Sequence, residues 1–123
     1  ELPLAKGMDN IIVCTTPTIP GYRVTRVLGI VSGMSVRTRG LGGKFVAGIQ
    51  SMIGGEVTAF MEEIIKARNE AMSRVLEQAQ GLGANAVIGL DFETSEVYQT
   101  VVLISATGTA VIAEPGQNVP PPP

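Results

Sequence analysis

The sequence predicts an α+β fold in which a small mixed or antiparallel sheet carries one long and one short helix. Three observations carry this. Residues 56–80 hold an apolar stripe at helical spacing, apolar β-rich runs precede and follow it, and glycines mark the junctions. The most telling junction is residues 81–93, Gly-Leu-Gly-Ala-Asn-Ala-Val-Ile-Gly-Leu-Asp-Phe-Glu, where a helix ends and a strand begins.

Taken in order, residues 1–9 read as a leader or vector-derived extension, since Met8 is a plausible start. Asn10 to Thr16 reads as a short strand with Ile11, Ile12 and Val13 as its body, and Pro17, Pro20 and Gly21 mark a turn. Tyr22 to Arg37 reads as one long strand or two joined by a bend. Its Val27, Leu28, Ile30 and Val31 suit a strand covered on both faces, and Gly29 and Gly33 suit a bulge or close packing. Phe45, Val46, Ile49, Met52 and Ile53 predict the short helix, broken by Gly54-Gly55.

Glu56 to Gln80 is the long helix. Its predicted apolar stripe is Val57, Met61, Ile64, Ile65, Met72, Val75, Leu76 and Ala79, with Glu62–Lys66 and Glu70–Arg74 as i,i+4 ion pairs. Gly81 and Gly83 end it. Three strands are expected next: Ala86 to Phe92, Val97 to Ser105 and Gly108 to Ala113. Glu93 to Glu96 serves as a hairpin loop and Thr107-Gly108 as a short link. On the first of these strands, Ala86, Ile88, Leu90 and Phe92 are assigned one face, and Val87 and Gly89 the other. The single domain therefore spans 10–113, and residues 114–123 are a Pro-rich tail expected to be extended and disordered.

Composition narrows the function. The chain has 123 residues, 45% of them apolar, and a formal net charge of −2. With no cluster of Lys and Arg, nucleic-acid binding through the phosphate backbone is disfavoured. No run reaches the roughly 18 apolar residues of a membrane span. The single cysteine, Cys14, cannot form an internal disulfide, which suits a reducing, cytoplasmic setting. Histidine is absent, which removes the commonest general base and the commonest transition-metal ligand.

Two candidate ligand sets remain. Asp91, Glu93 and Glu96 form an acidic cluster with the oxygen donors a hard cation takes, although a solvated strand end and hairpin is the reading their pattern favours. Cys14 is a lone thiol, and a soft-metal site needs several. Only copies of Cys14 brought together at the axis of an oligomer would supply them. The glycines at 40–43 and 54–55 lack the Gly-Lys-Ser/Thr ending of a P-loop. No catalytic residue and no cofactor is assigned.

Several segments, read together, resemble the YbjQ-like family. They are Thr15-Thr16-Pro17, Gly21, Val27-Leu28-Gly29-Ile30-Val31-Ser32-Gly33, Ile53-Gly54-Gly55, Lys66-Ala67-Arg68 with Glu70-Ala71, Leu82 through Asp91, and Ser105 through Val111. The resemblance covers about residues 10–113. It implies a dodecin-like α+β subunit assembled in a ring, a pentamer. It also brings a heavy-metal-binding label, although none of the matching motifs contains Cys or His. The stretch Asp91 to Val101 is shorter than in the family pattern.

The leading expectation is thus a non-enzymatic, pentameric, cytoplasmic protein. It would bind an unidentified small ligand or ion in a groove between subunits or at the ring axis. The alternatives are a metal-binding protein using Asp91, Glu93, Glu96 or Cys14, and an enzyme working with two carboxylates from Glu56, Glu62, Glu63, Asp91 and Glu93.

Overall fold

The computed structural model describes residues 10–38, 54–98 and 101–116. It contains β1 (Ile12–Val13), β2 (Tyr22–Thr38), α1 (Gly54–Gly81), β3 (Ala86–Tyr98) and β4 (Val101–Pro115). The four strands form one sheet in the order β1-β3-β4-β2. β4 is central and antiparallel to both β2 and β3, while β1 runs parallel to β3. Helix α1 lies across one face, mainly over β2 and β4. The predicted short helix at 45–53 lies outside the described residues, as do 1–9 and 117–123.

Several boundaries move. Gly54 and Gly55 open the helix instead of interrupting the chain before it. The three predicted C-terminal strands are two long ones. Glu93 to Glu96 belongs to β3, and Thr107-Gly108 lies inside β4. Thr94 pairs with Ile104 and Ser95 with Leu103, so cross-strand pairing overrides the turn propensity of this polar stretch. At the far end Pro115 pairs with Tyr22, so the ladder runs past Glu114, where the tail was expected to begin. Proline is tolerated there because it sits at a strand end.

The helix buries the C-terminal half of the predicted stripe, Met72, Val75, Leu76 and Ala79, and packs Ile64 against the core, but its N-terminal half departs from the expectation. Phe60, Ala67, Ala71, Met72, Val75, Leu76 and Ala79 are buried, whereas Met61 and Ile65 are exposed at 50% and 47%. Ala67, Ala71, Val75 and Ala79 repeat every four residues, and three of the four are alanine, so the helix axis comes close to the sheet. Gly33 on β2 completes that approach, because a Cβ there would stand 2.2 Å from the Ala71 carbonyl oxygen. Val31, Val87, Leu90, Val102, Ile104, Ala106 and Ala110 complete this core from the sheet side.

The helix ends as its glycines suggest. Gly83 has φ +81, Gly83 N–H donates to the Gln80 carbonyl at 3.0 Å, and Ala84 N–H donates to the Ala79 carbonyl at 3.0 Å. Those two bonds define a Schellman motif. β3 then carries a bulge. Ile88 pairs with Thr109 and Asp91 with Thr107, so Gly89 and Leu90 together face Gly108. Gly89 takes φ +62 at this point. The extra residue reverses the alternation, so Val87 and Leu90 both reach the helix-side core. The expected grouping of Leu90 and Phe92 with Ala86 and Ile88 is thereby corrected.

On the opposite, outer face a smaller cluster forms from Ile19, Ala86, Val111 and Ala113, with Ile12, Cys14, Tyr22, Val24 and Ile88 against it. The segment after β1 covers this end of the sheet. Tyr22 N–H donates to the Ile19 carbonyl at 3.0 Å, closing a turn with Pro20 and the positive-φ Gly21 at its centre.

Candidate functional site

The outer face of the sheet is where the candidate residues gather. Beyond the small cluster nothing in the described chain covers it. Register places Val27 opposite Val111, Ile30 opposite Thr109, Met34 opposite Ser105 and Val36 opposite Leu103. These four β2 side chains are exposed at 65%, 79%, 55% and 54%. Four large apolar groups in one row on one face form a patch, which differs from scattered surface apolar residues. The expectation that this strand is covered on both faces therefore holds on only one face within a single chain.

The acidic residues border this face on the other side of β4. Asp91 pairs with Thr107 and Glu93 with Ser105, and both carboxylates are exposed. Glu96 pairs with Val102, a helix-side core residue, so it stands on the opposite face from Asp91 and Glu93. The three carboxylates thus do not converge.

Cys14 lies on the outer face at the other end. Its N–H donates to the Val87 carbonyl at 3.0 Å, and its carbonyl accepts from Leu90 N–H at 3.1 Å. The Cys14 thiol is half-buried and free, near the Thr16 and Thr18 carbonyls at 3.5 and 3.9 Å. Among the described residues no three His, Cys, Asp or Glu come together in a group that could hold a metal ion.

A polar network that the sequence did not single out lies between β2 and the helix. Ser35, a buried polar residue at 1% exposure, donates to Glu70 Oε1 at 2.9 Å. Arg37 donates to Glu70 Oε2 at 3.1 Å and reaches Glu63 at 3.3 Å, while Arg74 pairs with Glu70 at 3.1 Å. The Ser35 hydroxyl, and after it the Arg37 guanidinium, hold the Glu70 carboxyl below the usual glutamate range. Of the predicted ion pairs, Glu70–Arg74 is present, and Lys66 pairs with Glu63 in place of Glu62. The expected spacing was legible, but Ser35 was not, because a serine in a strand carries no signal of burial.

Comparison with known proteins fits this architecture. A family model described as "Putative heavy-metal-binding" matches residues 11–114. The chain belongs to the YbjQ family. It is 42% identical over 111 residues to a UPF0145 protein of Picrophilus torridus, covering 90% of this chain and 94% of that one. It is 47% identical over 102 residues to one from Saccharolobus islandicus, covering 83% and 90%. It is 42% identical over 113 residues to one from Thermus thermophilus, covering 92% and 99%. A solved protein of unknown function from Pediococcus pentosaceus, of the DUF74 family, shares the fold. Its TM-score is 0.59 at 16% identity, covering 85% of this chain and 98% of that one. No helix among the described residues is long and apolar enough to cross a membrane.

Proposed function

We propose that this YbjQ-family chain is a non-enzymatic, self-assembling cytoplasmic subunit, a pentamer, that binds a small ligand or ion where subunits meet. The observation that carries the reading is the row Val27, Ile30, Met34 and Val36 on the outer sheet face. Burying such side chains is worth about 1.5–3 kcal/mol each, so a solitary chain forgoes a large stabilisation. Met61 and Ile65, exposed on the helix at the opposite side of the molecule, offer a second apolar surface. Sheet face against a neighbour's helix is a head-to-tail contact, and head-to-tail contacts form rings when the rotation per subunit closes and open filaments when it does not. Light scattering after size exclusion tests this. The wild type elutes as an oligomer and Ile30→Asp shifts it toward monomer, whereas a monodisperse wild-type monomer at micromolar concentration would sink the reading.

A second reading, metal binding, draws on the family description and on one pairing. Asp91 and Glu93 share the outer face two residues apart, where assembly would bring further copies alongside. Cys14 lies on that face too. Metal analysis of protein purified without chelators decides it, comparing wild type with Cys14→Ser and with Asp91→Asn/Glu93→Gln. Stoichiometric metal lost in a variant supports it, and equal traces in all three remove it.

A further inference from the structure

β2 ends the sheet opposite β1, so among the described residues one side of this 17-residue strand has no strand beside it. An edge of that length is an open template for another strand. Its middle is nevertheless hydrogen-bonded, and the partners are helix side chains. Ser32 N–H donates to Gln78 Oε1 at 3.0 Å, and the Met34 carbonyl accepts from the Arg74 guanidinium. An amide carbonyl stands where a neighbouring strand's carbonyl would be, and an N–H donor stands where its N–H would be. The same substitution occurs elsewhere in this chain. The Asn85 amide both accepts from Ala113 N–H and donates to the Ala113 carbonyl, at 2.8 Å each, in place of a strand residue. Ser32, Gly33, Met34, Arg74, Glu77 and Gln78 line an open recess of about 400 Å³ at this point.

We propose that the free edge of β2 at Ser32–Met34 is a strand-pairing interface for a second copy of this chain, held closed by Gln78 and Arg74. A second copy is the occupant that this register accommodates with both its hydrogen bonds and its apolar side chains matched. An antiparallel two-fold axis through Gly33 sets Ser32 N–H against the partner's Met34 carbonyl, and the reverse pair against each other. The groups that Gln78 and Arg74 satisfy are therefore complementary to themselves across that axis. The same register sets Ile30 beside the partner's Val36 on the outer face, an apolar cross-strand pair between two exposed side chains. β1 is only two residues long and offers no edge of matching length. Its hydrogen bonds lie at the strand edge and not on the sheet face, although Ile30 and Val36 also belong to the apolar row assigned to the assembly proposed above.

The test is the mass of the principal species by light scattering over a wide concentration range, each variant first checked for native circular dichroism. Arg74→Ala/Gln78→Ala doubles the wild-type mass, whatever that mass is. Gln78→Glu with Arg74 intact keeps the wild-type mass, because a carboxylate still accepts from Ser32 N–H. Glu77→Ala, in the same recess but capping neither group, also keeps it. Adding Ser32→Pro to the double variant removes the edge N–H and abolishes the doubling. An unchanged mass in a folded double variant overturns the proposal. So does equal doubling by Glu77→Ala, or doubling that survives Ser32→Pro.

Discussion

The hydroxyl of Ser35 donates to Glu70 across the sheet–helix interface at 2.9 Å, tying a buried strand residue to a half-exposed helical carboxylate. The bond joins the two layers at a point where apolar packing gives way to charge. Hydrogen bonds to charged groups contribute about 1.5–3 kcal/mol, and this one is partly solvated, so the lower end applies. Ser35→Ala is expected to lower stability by about 1–2 kcal/mol in urea unfolding with an unchanged slope.

The same pair predicts an acid response. The Glu70 pKa is depressed in the folded state, chiefly by Ser35 and then Arg37. Its contribution is therefore complete above the ordinary glutamate value of about 4.3 and is lost as pH falls through the lower folded value. Wild type should lose more stability between neutral pH and acid than Glu70→Gln does. Parallel pH–stability curves for the two proteins would contradict this.

Gly33→Ala is expected to be among the most damaging small substitutions. The added Cβ meets the Ala71 carbonyl at 2.2 Å and the Arg74 Cβ at 2.7 Å, and backbone atoms cannot step aside singly. Overpacking of this kind costs about 1–3 kcal/mol, and a rigid helix backbone puts it near the top of that range. Gly108→Ala meets the Val87 Cγ1 at 2.7 Å, a side chain that can turn, so it should cost less. Thermal denaturation of the two variants gives the order directly.

Asn85→Ala removes both amide bonds to Ala113 and leaves that residue's N–H and carbonyl without these partners. An unsatisfied buried group costs about 1–3 kcal/mol. Asn85 is itself exposed, so water can reach the vacated groups and a loss of about 1–2 kcal/mol is expected, with faster hydrogen exchange at the Ala113 amide as the local signature.

Gly83→Ala tests the helix stop. At φ +81 an L-residue costs about 1–2 kcal/mol, and the space around the site is empty, so strain alone acts. Gly83→Asn, which tolerates that region better, should recover part of the loss in the same assay.

The helix, the strand order of element types and the glycine stop were all legible, because period 3.6 over two dozen residues and a Gly-x-Gly ending leave few alternatives. The long β3–β4 hairpin was not. Glu93-Thr-Ser-Glu96 has turn composition, and only the pairing of Thr94 with Ile104 and Ser95 with Leu103 holds it extended. Gly108 reads as punctuation but is small because Val87 packs against it. The apolar row on β2 was visible as Val27 and Ile30, yet its exposure depends on where the helix lies. Helix placement in turn follows from Ala67, Ala71 and Gly33, which carry no strong local signal. The acidic set failed as a trio for a parity reason, since Glu96 is an odd number of residues from Asp91 and Glu93.

The extra residue at Gly89 works as a phase shifter. Upstream of it, β3 is tied to β1 and the Cys14–Thr16 segment; downstream, β3 pairs with β4 alone, and β4 is held along its other edge by β2. Length added symmetrically to those arms, two residues apiece, leaves every inward side chain inward. A single residue inserted or removed between Ala86 and Asp91 would turn one half of the strand inside out. Tolerance to insertion is thus polarised along one strand, permissive at its free end and nearly absent within a few residues of the bulge.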